Sequence, residues 1–72
     1  MSRTAPQTLI RIREVVNMTG ISKSQVYRLA GMDAFPKPIR LTAQSVAWVK
    51  AEIEQWIQSK IAQRNKQEGS EI

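Results

Sequence analysis

The stretch Thr19-Gly20-Ile21-Ser22-Lys23-Ser24-Gln25-Val26-Tyr27-Arg28-Leu29 decides how this chain folds. Gly20 follows a short stripe of Val15, Val16, Met18 and Thr19, at the point where a helix must stop and a positive φ is wanted. Ile21 comes next as an apolar plug. Ser22 then carries the side-chain oxygen that an N-cap uses to accept from an orphan amide. Gln25, three residues on, is spaced to reach back and complete a capping box. A second helix is therefore expected from Lys23 to about Ala30, ending at Gly31. Two short helices joined so briefly must cross sharply, which is the layout of a helix-turn-helix. Val15, Val26 and Leu29 fall where the two helices have to pack on each other. One position departs from the usual pattern: Val16 stands where such motifs commonly carry Ala.

Outward from this stretch the signals become weaker, then stronger again. Leu9-Ile10-Arg11-Ile12 is short and β-compatible, so a strand is expected there, with the first helix starting at Arg13. Residues 1–8 are polar, contain Pro6 and read as a flexible arm. On the other side, Phe35-Pro36-Lys37-Pro38 cannot be helical, because each Pro lacks an amide and biases its predecessor toward extended geometry. Ile39 and Leu41 share one face with Arg40 on the other. Val46 and Trp48 then alternate with Ala47 across the polar link Thr42-Ala43-Gln44-Ser45. These two runs read as a β-hairpin, with the turn type left open by the lack of Gly.

The last element has the clearest periodicity. Ile53, Trp56, Ile57 and Ile61 form one helical stripe, giving a helix from about Lys50 to Gln63. Glu52 and Glu54 near its start and Lys60 and Arg64 near its end suit the helix dipole. Trp48 and Trp56 read as parts of one aromatic core. Residues 65–72 are polar and read as a frayed tail. The expected fold is a small α+β winged helix-turn-helix, mainly helical, in the order strand, helix, helix, hairpin, helix. It occupies residues 9–64 between the arm and the tail.

Composition narrows the chemistry. The 72 residues make one small domain with a thin core. There is no Cys and no His, hence no disulfide framework, no Cys/His zinc site and no His base for a nucleophile. The six acids are Glu14, Asp33, Glu52, Glu54, Glu68 and Glu71, and no catalytic carboxylate pair emerges from their spacing. An enzyme is not expected, nor a metal or other cofactor. No apolar run approaches the ~20 residues of a membrane span, and the start lacks the apolar segment of a secretory signal. A soluble, intracellular protein is the expectation.

Eleven Lys and Arg outnumber those six acids, and the imbalance is uneven. Residues 1–50 hold eight basic and two acidic side chains, residues 51–72 three and four. The front of the chain thus favours a polyanion, since each neutralised phosphate releases condensed counterions. On the second helix, Val26, Leu29 and Ala30 point inward. Ser24, Tyr27 and Arg28 gather on the opposite arc, with Lys23 and Gln25 on its shoulders. Arg can bond a guanine edge bidentately and Gln an adenine edge, while Ser, Lys and Tyr reach phosphates. No carboxylate lies on this helix. The plainer alternative is a solvated helix face with Tyr27 half-packed on the core. Lys37, Arg40 and Gln44 would let the hairpin serve as a wing along the backbone, and Arg11 and Arg13 lie near the first helix start, where phosphate can also bind.

The residues just quoted resemble the AlpA family of small prophage regulators, related to MerR-type and excisionase domains. The likeness runs through Arg11-Ile12-Arg13-Glu14-Val15, Thr19-Gly20-Ile21-Ser22-Lys23-Ser24 and Val26-Tyr27-Arg28-Leu29. It continues in Phe35-Pro36-Lys37-Pro38-Ile39-Arg40-Leu41, Val46-Ala47-Trp48 and Ile53-x-x-Trp56-Ile57, covering about residues 9–63. It implies sequence-specific binding of double-stranded DNA through Lys23, Ser24, Gln25, Tyr27 and Arg28 with wing support. The role implied is a transcriptional regulator of integrase or excision genes in a prophage or genomic island. An excisionase acting architecturally at attachment sites is the alternative within the family. A small protein-interaction domain using the basic helix face is the alternative outside it. The implied setting is the bacterial cytoplasm at the nucleoid, with an integrase or further copies of the chain on repeated sites as partners. The sequence departs from the family at the wing: Leu41-Thr42-Ala43-Gln44 stands where Leu-Gly-x-Arg is usual.

Overall fold

The computed structural model describes the backbone of residues 7–71 and the side chains of residues 7–65. Among them the chain forms strand β1 (Leu9–Ile10), helix α1 (Ile12–Thr19), helix α2 (Lys23–Gly31), strands β2 (Ile39–Thr42) and β3 (Ser45–Val49), and helix α3 (Lys50–Glu71). This is the small, mainly helical α+β fold expected, consistent with a winged helix-turn-helix. The expected arm lies largely outside the described residues.

The turn between α1 and α2 closes on its own residues. Gly20 takes φ 81°, and its N–H bonds the Val16 carbonyl at 2.8 Å, a left-handed stop that only Gly adopts without steric cost. The Thr19 hydroxyl donates to the Val15 carbonyl at 2.8 Å and accepts from the Ile21 N–H at 3.3 Å. Ser22 is extended (φ −74°, ψ 162°), and its Oγ accepts from the Gln25 N–H at 3.2 Å, the expected N-cap. The other half of the capping box does not form. Gln25 Oε1 instead accepts from Arg28, one turn further along the exposed face.

Several boundaries differ from the expectation. The first strand stops at Ile10 because only Leu9 and Ile10 find partners, Val49 and Trp48 on β3. Arg11 is then the extended N-cap residue of α1, so Ile12 is helical and packs on the core. Helix α2 does end at Gly31, as expected. Gly31 is the last helical residue, Met32 caps the helix, and the left-handed residue is Asp33 at φ 60°. Asp is among the few non-Gly residues that tolerate this conformation. Helix α3 continues past Gln63 to Glu71, so residues 65–71 of the expected frayed tail are helical. Arg64, Lys66, Gln67 and Glu68 are good helix formers, and propensity suffices to extend a helix once a core-packed stem has nucleated it.

The sheet places β3 at its centre, in the order β1-β3-β2 with both pairings antiparallel. Ala47 is buried as well as Trp48, against the simple alternation expected. The hairpin link is shorter than the four residues expected. Thr42 pairs with Ser45 across a two-residue turn, Ala43-Gln44, and a bulge between Arg40 and Thr42 takes up Leu41. Ile10, Val15, Val26, Ala30, Phe35, Trp48 and Ile53 form the buried core, with Leu29, Trp56 and Ile57 packed against it. The two tryptophans share this core but make separate aromatic pairs. Trp48 meets Tyr27 edge-on at 5.7 Å between ring centroids, and Trp56 meets Phe35 at 4.7 Å. No helix among the described residues is long and apolar enough to cross a membrane.

Candidate nucleic-acid interface

Helix α2 buries Val26 and Ala30 and turns its remaining surface outward. Lys23, Ser24, Gln25, Tyr27 and Arg28 are all exposed, so the five helix residues singled out by sequence lie together on one face. No acid belongs to α2. Lys23 and Ser24 make no side-chain hydrogen bond among the described residues. Tyr27 is 42% exposed: the edge of its ring rests against buried Trp48 while the rest of the side chain meets solvent. This is the geometry of an amphipathic tip, with an apolar body anchored on the core and a hydroxyl left for an outside partner. Arg28 and Gln25 are joined side chain to side chain, so they project as a unit.

The segment leading from α2 to the hairpin is held by side chains remote in sequence. The indole N–H of Trp48 donates to the Pro36 carbonyl at 3.1 Å, and that of Trp56 donates to the Ala34 carbonyl at 2.9 Å. Between these two carbonyls Phe35 turns inward and is buried. Backbone bonds from Met32 and Ala34 to the Leu29 carbonyl, and from Asp33 to the Ala30 carbonyl, close the end of α2. Lys60, expected near a helix end, instead lies mid-helix with its ammonium 5.3 Å from the Trp56 ring centroid.

Lys37 is exposed, but its ammonium is engaged. It donates to the Ala30 carbonyl at 2.9 Å and pairs with Asp33 at 2.8 Å. The cation therefore sits at the C-terminal end of α2, where helix carbonyls favour positive charge. The hydrogen bond and charge of Lys37 hold the Asp33 carboxyl below its ordinary value of 3.8. Arg40 and Gln44 do lie on the hairpin and are exposed. Arg40 Nη1 reaches the Ala43 carbonyl at 3.4 Å, over the turn. Thr42 shapes the turn through its side chain. Its hydroxyl accepts from the Gln44 N–H at 3.2 Å and lies 2.8 Å from the Ser45 hydroxyl. Arg11 caps α1 and Arg13 lies in its first turn, both exposed, with Glu14 offsetting them there.

Two contributions escaped the sequence reading. Asp33 is one: its spacing of four from Lys37, just before a proline-rich segment, was the available signal. The tryptophan N–H groups are the other. A buried indole needs an acceptor, and that rule alone pointed to backbone carbonyls nearby.

Among the described residues there is no cavity for a small molecule and no cluster of three His, Cys, Asp or Glu side chains suited to a metal. The family model described as Prophage CP4-57 regulatory protein (AlpA) matches residues 8–61, from the residue before β1 to the last member of the α3 stripe. A protein of Enterobacteria phage P4 named Uncharacterized protein ORF88 is 32% identical over 60 residues, which span 83% of this chain and 68% of the relative. The DNA-binding transcriptional activator AlpA of Escherichia coli (strain K12) is 30% identical over 63 residues, spanning 79% of this chain and 90% of the relative. The matched segment contains the whole core, the helix-turn-helix and the hairpin, and on that basis the chain belongs to the AlpA family.

Proposed function

We propose that this protein is a sequence-specific regulator of transcription that binds double-stranded DNA, acting on prophage or genomic-island genes in the bacterial cytoplasm. The observation that carries the reading is the acid-free face of α2, where Lys23, Ser24, Gln25, Tyr27 and Arg28 are exposed together on a helix whose other side is locked into the core. The name of the Escherichia coli relative, a DNA-binding transcriptional activator, agrees with it. In this reading α2 enters a major groove, its base-reading side chains projecting from the first two turns. Arg40 and Gln44 bring the hairpin against the backbone, and Lys37 acts by fixing the end of α2.

The mechanism is occupancy. Lys23, Ser24 and Tyr27 position the helix on phosphates, and Arg28 with Gln25 reads base edges. A single module of this size covers roughly 600–1,000 Å² of protein surface on DNA, so selection of a genomic site calls for further copies or an integrase beside it. The test is fluorescence anisotropy with duplexes from the DNA flanking its gene, at several salt concentrations. Affinity should fall steeply with salt, since each phosphate contact adds about 0.9 to the logarithmic slope. Arg28→Ala should abolish preference for the specific duplex while keeping salt-dependent binding to unrelated DNA. A salt-independent interaction would return the basic face to a role in contacting protein.

A further inference from the structure

Resting on the DNA-binding reading, we propose that Arg28 is the guanine-reading residue of this protein and that Gln25 is its positioning residue rather than an independent reader of adenine. The Arg28 guanidinium donates to Gln25 Oε1 across one exposed helical turn. A guanidinium has donors only, so the Gln25 atom facing it must be the carbonyl oxygen. That choice leaves the Gln25 amide nitrogen directed elsewhere, and it makes no hydrogen bond among the described residues. To read adenine, Gln must offer an acceptor to the N6 amino group and a donor to N7. Here that oxygen is already engaged by Arg28, whose guanidinium competes with an adenine N6 donor for it. What the pair offers outward is a set of N–H donors, and the major-groove edge with two adjacent acceptors is that of guanine, through N7 and O6.

The surroundings reinforce the assignment. The Gln25 backbone N–H is fixed by Ser22 Oγ at 3.2 Å, so the base of the side chain that braces Arg28 is itself held by the helix cap. No carboxylate on α2 competes for the guanidinium. The brace replaces one of the contacts that a long, flexible Arg would otherwise have to make on arrival, and so limits the freedom lost on binding.

The test is selection from a randomised duplex library followed by competition between the enriched duplex and its single-base variants. The wild-type protein should enrich sites with a required guanine, and replacing that guanine by adenine should weaken binding roughly 5- to 150-fold, as for one bidentate contact. Arg28→Lys, which keeps the charge but not the fork, should erase most of that discrimination. Gln25→Ala should leave guanine as the preferred base at the same position while narrowing the margin, and it should create no new preference for any other base. Both side chains are exposed, so near-native circular dichroism and melting of the variants accompany the measurement. Enrichment of a required adenine whose preference disappears in Gln25→Ala but survives Arg28→Ala would overturn the proposal while leaving the DNA-binding reading intact. Failure to enrich any duplex, with no salt-dependent binding to the starting library, would overturn both.

Discussion

The turn into α2 and the segment leaving it are ordered by different means. On entry, Gly20, Thr19 and Ser22 close their hydrogen bonds on groups no more than four residues away. On exit, residues 32–38 depend on indole N–H groups 12 and 22 residues distant, on β3 and α3. The entry is a local device that any chain carrying those residues would tend to form. Local backbone bonds close the first residues of the exit, but the bonds to Ala34 and Pro36 exist only once the sheet and α3 have assembled. Helix α2 is thus aimed locally at its start and by the whole domain at its end. That arrangement ties the position of the hairpin to the integrity of the core.

The heaviest test of this contrast is Trp48→Ala. Trp48 is fully buried, carries Tyr27 on its ring and holds Pro36, so its removal should cost about 3–5 kcal/mol. For a domain this small such a loss threatens folding altogether, and urea or thermal denaturation followed by circular dichroism measures it. Gly20→Ala comes next. A Cβ at Gly20 meets no atom within 4 Å, so the cost is that of the left-handed backbone alone, about 1–2 kcal/mol. The two variants should differ in kind. Trp48→Ala should loosen the hairpin and α2 together. Gly20→Ala should lower the melting temperature while leaving the native exchange protection of Ala34 and Phe35 in its usual order relative to the rest.

How far each region could be read from the chain follows the same division. Thr19-Gly20-Ile21-Ser22 announces its structure because the energy terms are local, and the N-cap at Ser22 forms as the spacing implies. The positions that escaped are those settled by partners elsewhere. Ala47 is buried at its pairing with Ile39, against the alternation its neighbours Val46 and Trp48 suggest. For the candidate interface, the five side chains of α2 were legible because helical geometry puts them on one arc. Lys37 was not, since its charge alone does not reveal that Ala30 and Asp33 claim it.

Trp56→Phe isolates the remote hydrogen bond from the packing. Phe retains an aromatic ring against Phe35 but leaves the Ala34 carbonyl without its 2.9 Å donor. The group is exposed enough for water to replace the indole, so the expected loss is about 1 kcal/mol. If the exit segment is ordered as described, this variant should also raise hydrogen exchange at the amides of residues 32–35 and 37 ahead of the rest of the domain. Equal protection in variant and wild type would mean that the segment is held without the Trp56 bond, by Phe35 burial, the Trp48 bond to Pro36 and the local backbone bonds.

The smallest effect belongs to Asp33 and Lys37, the one local ion pair in that segment among the described residues. Lys37, first by hydrogen bond and then by charge, lowers the Asp33 carboxyl below its ordinary value of 3.8. A carboxylate depressed in the folded state binds protons more readily when the chain unfolds. Its stabilising contribution is therefore present above the ordinary value and is lost as pH falls through the folded one. Both side chains are exposed, at 60% and 80%, so solvent and salt screen the pair. Asp33→Asn keeps a residue that tolerates φ 60° and removes only the charge. It should leave stability at neutral pH nearly unchanged, flatten the acid limb of the stability profile, and eliminate the low-pH carboxyl titration seen by NMR. Were Asp33→Asn to cost as much as Trp56→Phe, the exit from α2 would be locally ordered like its entry. The hairpin would then be positioned by two neighbouring charges rather than by the core.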